Sequence, residues 1–367
     1  MFTKLRYNVM QRKYMVLLTY FQTVQMHHVT TSSYIHFGQN LRHILTRDEK
    51  MTSLPIETLL NTRKPYLTDG GLETTLIFHD GVELPHFASF TQLDSPEGRV
   101  RVDSYFDDYL EAASDAETGF VIDTPTWRAN AAWGDVMGLG RSRIAAINTN
   151  AVAMAKTVRD RWQCRVSQII INGAIGPAGD GYAIEQSLES QRAKTSHAVQ
   201  IEALAAAGVD MVTALTMTHT GEAIGIVQAA KDAGVPVAIG FTVETDGKLP
   251  SGQSLGDAIA EVDAVTTNEP IYYMINCAHP DHFKDALLKG ENWLKRIGSI
   301  RANASRMSHA ELDVAEKLDP GNPQELANDY QVLQSLLPNL KVLGGCCGTD
   351  HRHVHAIGHA CVHKHAA

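Results

Sequence analysis

The chain has 367 residues, 44% hydrophobic and 20% charged, enough to bury one large core or two ordinary ones. A formal net charge of −9 argues against general binding to a nucleic-acid backbone, which needs clustered lysine and arginine. Five cysteines in a chain of this length make no disulfide framework.

The first fifty residues differ from the rest, carrying +5 against −14 for residues 51–367. Met15-Val-Leu-Leu-Thr-Tyr-Phe21 is far short of the roughly 20 residues that span a bilayer, and no small-residue cleavage pattern follows it. Residues 1–55 are expected to be a poorly ordered extension or a mis-assigned start, with Met51 as the natural beginning. Residues 56–367 are expected to form the body, with no membrane partner and a cytoplasmic location.

From residue 56 onward, short apolar runs alternate with helical patterns. The runs at 66–69, 120–123, 167–172 and 210–213 read as four strands, and those at 236–241, 272–276, 296–300 and 341–344 complete eight. Helical patterns intervene at 101–117, 143–161 and 184–207, and Gly208 and Gly234 stand where helix C-caps belong. Eight such units predict a single-domain α/β fold, a (β/α)8 TIM barrel, with an open doubly wound sheet as the alternative. The barrel is favoured because polar and special residues gather at strand C-terminal ends, where barrel sites form. They are Asp69-Gly-Gly71, Asp123-Thr-Pro-Thr-Trp127, Asn172-Gly-Ala-Ile-Gly176, Asn276-Cys277 and Gly345-Cys-Cys347.

The cysteines at two of these ends carry the chemistry. Neighbouring side chains on a strand point to opposite faces, so Cys346 and Cys347 can share a metal only across a sharp bend. Gly344, Gly345 and Gly348 are expected to allow that bend through strained or left-handed backbone. With Cys277 they would give three thiols, one short of a closed structural zinc site and suited to one that leaves a position for substrate. Buried small hydrophobes are the alternative reading. Cys164 and Cys361 have no partner motif.

Other patterns carry less. Gly173-Ala-Ile-Gly-Pro-Ala-Gly179 lacks the spacing of a phosphate-binding loop, and no serine-hydrolase elbow is present. Histidines 351, 355, 359 and 363 would stack on one helix face, as an exposed or internally bonded row rather than a metal site. Asp69, Glu73, Asp123 and Glu244 are candidate carboxylates at the rim.

Asp69-Gly-Gly-Leu-Glu-Thr-Thr-Leu76, Gly173-Ala-Ile-Gly-Pro177, Asn276-Cys277 and Gly344-Gly-Cys-Cys-Gly348 occur in the order seen in the zinc-dependent homocysteine S-methyltransferase family, which the chain resembles from about Tyr66 to its end. The resemblance implies a (β/α)8 barrel in which Cys277, Cys346 and Cys347 hold Zn2+ and serve as the catalytic centre. It implies methyl transfer to homocysteine, giving methionine. With no room for cobalamin and folate modules, the chain is similar to the compact branch, whose donors are small onium compounds such as S-methylmethionine or S-adenosylmethionine. The partners implied are thus a small thiol and a methyl donor, and a homo-oligomer is compatible with the chain.

Asp69, Gly70, Gly71, Glu73, Trp127 and Asn276 are the residues expected to line the substrate pocket. Asp69 is expected to contact the substrate amino group, and Trp127 to offer its ring to the donor cation. Two positions depart from the family pattern. Leu215-Thr216 stands where the family has a glutamate–threonine pair that holds the ammonium. Arg301 lies in a stretch that replaces a proline–asparagine–serine–glycine run, and adds a cation that could meet a carboxylate. Another small thiol or selenol as acceptor therefore remains an alternative, as does an inactive zinc-binding barrel acting as a sensor or partner protein. A metal hydrolase would more often use histidine and carboxylate ligands.

Overall fold

The computed structural model describes residues 55–181 and 188–362. The expected extension falls almost wholly outside these, as do residues 184–187 of the third helical pattern and His363.

Eight strands close into a parallel barrel in sequence order. They are β1 (Tyr66–Thr68), β2 (Phe120–Asp123), β3 (Ile169–Ile175), β4 (Met211–Met217), β5 (Val237–Phe241), β6 (Tyr273–Asn276), β7 (Ile297–Ala302) and β8 (Val342–Gly345). Leu67 pairs with Phe120 on one side and with Leu343 on the other, which closes the ring. The alternative of an open sheet is thereby excluded. All eight expected strands form, because strands covered on both faces read as continuous apolar runs. β3 and β4 run beyond their expected ends. Gly173, expected just beyond the strand's end, lies inside β3, where a Cβ would come within 2.7 Å of Leu204 on the covering helix. Its bareness serves helix–strand packing rather than a turn.

Nine helices of eight or more residues lie among the described residues. They are α1 (Pro96–Tyr105), α2 (Asp107–Asp115), α3 (Arg141–Trp162), α4 (Ser190–Ala207), α5 (Thr220–Ala233), α6 (Leu255–Thr266), α7 (Pro280–Leu287), α8 (Pro323–Leu336) and α9 (His351–Cys361). The expected helix 101–117 is two helices, interrupted at Phe106 and begun earlier by Ser95, whose side chain accepts the Gly98 amide at 3.0 Å. α4 starts at Ser190 because Leu188 donates its N–H to His219 Nε2 and Glu189 is extended. Gly208 and Gly234 are left-handed caps, as expected. No helix among the described residues is long and apolar enough to cross a membrane.

The barrel interior has two layers of opposite character. Tyr66, Val121, Ile170, Met211, Ala238, Tyr272 and Val342 form an apolar plug at the N-terminal end, packed with Ile56 and Leu59 of the preceding helix. Above it the inward residues are polar. Thr213 Oγ1 donates to Asn172 Oδ1 at 2.9 Å, and Asn172 Nδ2 donates to Asp123 Oδ1 at 2.7 Å. The apolar layer anchors the strands, and the polar layer forms the floor beneath the C-terminal mouth.

Candidate metal centre and substrate cavity

β6 ends at Asn276, and Cys277 follows with φ of 56°, left-handed backbone for a residue that has a Cβ. Such a conformation costs on the order of 1–3 kcal/mol and persists only where the surroundings fix it. Here they do. The Cys277 carbonyl accepts from His309 Nε2 at 2.7 Å and from Asn303 Nδ2 at 3.1 Å, and its N–H donates to the Arg301 carbonyl at 3.1 Å. His309 Nδ1 lies 3.2 Å from Glu244 Oε1. Sequence reasoning missed His309. The one signal was the Ser308-x-x-Glu311 spacing, which forms a capping box and places His309 in a first helical turn.

β8 ends at Gly345, and Cys346 and Cys347 occupy the turn beyond it. Of the three glycines expected to relax this bend, only Gly348 has positive φ, at 79°. Gly344 and Gly345 lie within the strand. The opposing loop needs a bare backbone as well: a Cβ on Gly71 would sit 2.8 Å from the Cys346 carbonyl. The Asp69-Gly-Gly71 turn can therefore lie directly against the cysteine turn.

The result is convergence. The Sγ atoms of Cys277, Cys346 and Cys347 lie within 4.8 Å of one another, with Cys277 and Cys347 3.8 Å apart. Tetrahedral coordination with metal–sulfur bonds of about 2.3 Å puts sulfurs about 3.8 Å apart, the spacing of the Cys277–Cys347 pair, so three thiols this close could hold a metal and leave one position for substrate. Hydrogen bonding to the Cys277 and Cys347 thiols, then burial, push the Cys346 thiol well above its usual range. Three thiolates need a cation to coexist there.

The cysteines floor a cavity of about 410 Å3 at the C-terminal mouth, lined also by Asp69, Gly70, Gly71, Glu73, Trp127 and Asn276. All the expected site residues thus meet in one place, although several side chains are already engaged. Arg301 Nη2 bonds Asp69 Oδ1 at 2.6 Å and the Gly70 carbonyl at 3.1 Å. Its Nη1 bonds Asp123, and its Nε the Gly345 carbonyl at 2.9 Å. Arg301 is consequently no waiting cation for a substrate carboxylate, and Asp69 is no unpaired acid. Burial raises the Asp69 carboxyl to about 6 against the pull of Arg301, and the second acid on the same guanidinium adds to the rise.

Asn276 also has its amide engaged. Its Oδ1 accepts the Thr216 N–H at 3.0 Å, and its Nδ2 donates to Thr216 Oγ1 at 2.9 Å. Thr216 is left-handed, at φ 63°, where the β4–β5 register slips between Ala214 and Met217. This bulge turns Leu215 and Thr216 together into the cavity wall. Trp127 carries the Arg128 guanidinium 4.0 Å above its ring, and Trp133 lies at the same distance from that cation. One aromatic face is therefore taken. Glu73 is half-buried in the wall, bonded by Ser89 Oγ at 2.7 Å. Burial, opposed by that bond, raises its carboxyl to about 7.

A closed parallel barrel with a three-thiol centre open to a mouth cavity has the form of a barrel transferase acting on thiols. Residues 66–361 match the family model described as homocysteine S-methyltransferase, and the chain belongs to that family. It is a thiol methyltransferase. No curated protein sequence matches the chain. Among solved structures it is similar to the homocysteine methyltransferase MmuM from Escherichia coli. The metallated form superposes with a TM-score of 0.67 at 20% identity, over 83% of this chain and 99% of that one. The oxidized form gives 0.66 at 19% over the same shares, and the apo form 0.62 at 20%. At this identity the likeness speaks for the fold.

Proposed function

We propose that the protein transfers a methyl group from a small sulfonium donor, S-methylmethionine or S-adenosylmethionine, to the sulfur of homocysteine, giving methionine. Its resident metal in this reading is Zn2+, held by Cys277, Cys346 and Cys347. The observation that carries the proposal is the three Sγ atoms within 4.8 Å of one another at the floor of a 410 Å3 cavity.

A free thiol has a pKa near 8.5 and reacts as its thiolate, and bound zinc would supply the positive charge that keeps an acceptor sulfur deprotonated at neutral pH. The protein's own residues do the rest. His309 and Asn303 fix the Cys277 backbone, and the close approach of Gly71 fixes the Cys346 turn, so the three cysteines that would hold the metal stay beside the cavity they line. Leu72, Ile77, Phe78 and Leu215 contribute apolar side chains to the wall of that cavity. Attack forms the new sulfur–carbon bond. The donor's sulfur–methyl bond breaks with its electron pair staying on the donor, which leaves as a neutral thioether, and the acceptor's thiol proton has already passed to solvent. No general acid is needed, and positioning is worth up to about 7–11 kcal/mol in favourable cases.

Leu215 supports a second reading, in which the acceptor is another small thiol or selenol. Methyl transfer from S-methylmethionine to a panel of thiols, with zinc-loaded protein, tests both. Turnover of homocysteine supports the first and turnover of a different thiol the second. No turnover with any thiol overturns both.

A further inference from the structure

The cavity must handle cations, since its donor is an onium compound and the proposed acceptor carries an ammonium group. Its charged lining is mostly committed elsewhere. Asp69 and Asp123 share Arg301. Arg128 covers one face of Trp127, and a like charge there repels a second cation. Asp180 and Asp313 are exposed at the rim, and Asp319 takes the Gly321 amide. Leu215 presents only methyl groups.

Glu73 is placed differently. It follows the Gly70-Gly71 turn in the short helix Leu72–Thr74, and lines the same cavity as Cys346 and Cys347. Ser89, itself 2% exposed, donates to Oε1 and so sets the orientation of the carboxylate. Among the described residues no lysine, arginine or histidine pairs with it. An acid held in a half-buried wall, oriented by a buried hydroxyl and lacking a cation, is a ready-made partner for a small ammonium group.

We propose that Glu73 recognises the ammonium group of the acceptor thiol, taking the part that Leu215 cannot play. The inference rests on the thiol methyltransferase reading and names its acceptor class as an amino thiol, with sulfur at the cysteine trio and nitrogen at Glu73. Ser89 is the positioning residue that holds the carboxylate for this contact.

The test is calorimetric binding of homocysteine and of its desamino analogue, 4-sulfanylbutanoate, to zinc-loaded protein. Glu73→Gln keeps the side chain's shape and loses the charge. It is expected to weaken homocysteine about ten- to hundredfold, the span of a charge-assisted bond, and to leave the analogue within twofold. Ser89→Ala, which keeps the carboxylate, is expected to weaken homocysteine a few-fold in the same selective way. Zinc content and thermal midpoint, measured alongside, should match the wild type. Equal losses for both thiols overturn the inference while leaving the methyltransferase reading intact, and so does unchanged homocysteine binding in Glu73→Gln. If wild-type protein binds neither thiol, the functional reading itself fails and the inference falls with it.

Discussion

Arg301 and Asp69 stand 232 residues apart in sequence, yet Nη2 of one lies 2.6 Å from Oδ1 of the other, almost wholly out of solvent. The same guanidinium holds Asp123 and the carbonyl of Gly345, the residue before Cys346. One side chain from β7 thus ties together the ends of β1, β2 and β8. Arg301→Met strands two buried acids and is expected to cost about 3–5 kcal/mol, read by urea denaturation. Arg301→Lys is expected to recover little of this, because one ammonium cannot reach three partners in a planar fork. Full recovery with lysine would show that only the charge matters.

The cysteine trio, read as a metal centre, predicts a stoichiometry. One zinc per chain is expected, and alanine at Cys277, Cys346 or Cys347 should remove most metal and activity together, since two thiolates hold an open site poorly. Elemental analysis checks this directly, and full zinc occupancy in Cys346→Ala would contradict the assignment. Metal-free protein, with Cys277 and Cys347 sulfurs 3.8 Å apart, should also oxidise readily and depend on reductant.

His309 offers a finer test of the same centre. It touches the Cys277 carbonyl rather than the sulfur, so it acts on the ligand's backbone. His309→Ala leaves Asn303 at 3.1 Å and Thr242 Oγ1 at 3.4 Å as side-chain donors to that carbonyl, and should relax the left-handed Cys277. Losing such outer support commonly lowers metal affinity by about 10- to 100-fold. Competition against a chelator measures it. An unchanged zinc affinity would mean that the strand end holds Cys277 without help.

The barrel was legible because each of its strands is buried on both faces and stands out as a short apolar run. The convergence of the three cysteines was legible for a different reason: a glycine-flanked cysteine pair and an Asn-Cys both stand at strand C-terminal ends, which a closed barrel brings to one mouth. What stayed hidden were pairings between distant polar residues. Nothing local to Arg301 marks Asp69 and Asp123 as its partners, and so Asp69 read as a contact for the substrate amino group. Asn276 likewise gave no sign that its amide would go to Thr216, whose left-handed backbone lies in an unremarkable Leu-Thr-Met run. Glycine also misled, since Gly344 and Gly345, expected to relax the cysteine bend, serve close packing inside β8.

Glu222 gives the scaffold an acid sensitivity. It is 3% exposed, lies 2.8 Å from His197 Nε2, and accepts the Ala178 amide at 2.7 Å, which fixes the chain just after β3. Burial alone would raise its carboxyl, but hydrogen bonds and the charge of His197 outweigh it and leave the group below its usual range. A lowered folded pKa means that the unfolded chain binds the proton more tightly. The pair's stabilisation is therefore complete above the unfolded glutamate value of about 4.3 and is lost as pH falls below it. Thermal melts from neutral pH down to about pH 3 should show a shallower acid limb in Glu222→Gln, which cannot titrate there. An identical limb in both proteins would assign the acid sensitivity to other groups.

Leu215 completes the account of what the cavity accepts. It lines the wall at the β4 bulge, where an acid would face the same space as Glu73. A charge-assisted bond to an ammonium is worth about 1.5–3 kcal/mol, or roughly ten- to hundredfold in affinity. Leu215→Glu is therefore expected to raise the preference for homocysteine over its desamino analogue in the wild-type background. In the Glu73→Gln background it should restore a preference that the first substitution removed, because either carboxylate can then serve the same nitrogen. The four proteins of this cycle, assayed with both thiols, separate the two positions. Failure of Leu215→Glu to move the ratio in either background would mean that the ammonium group lies beyond the reach of this wall, and that the bulged end of β4 shapes the cavity without reading the substrate.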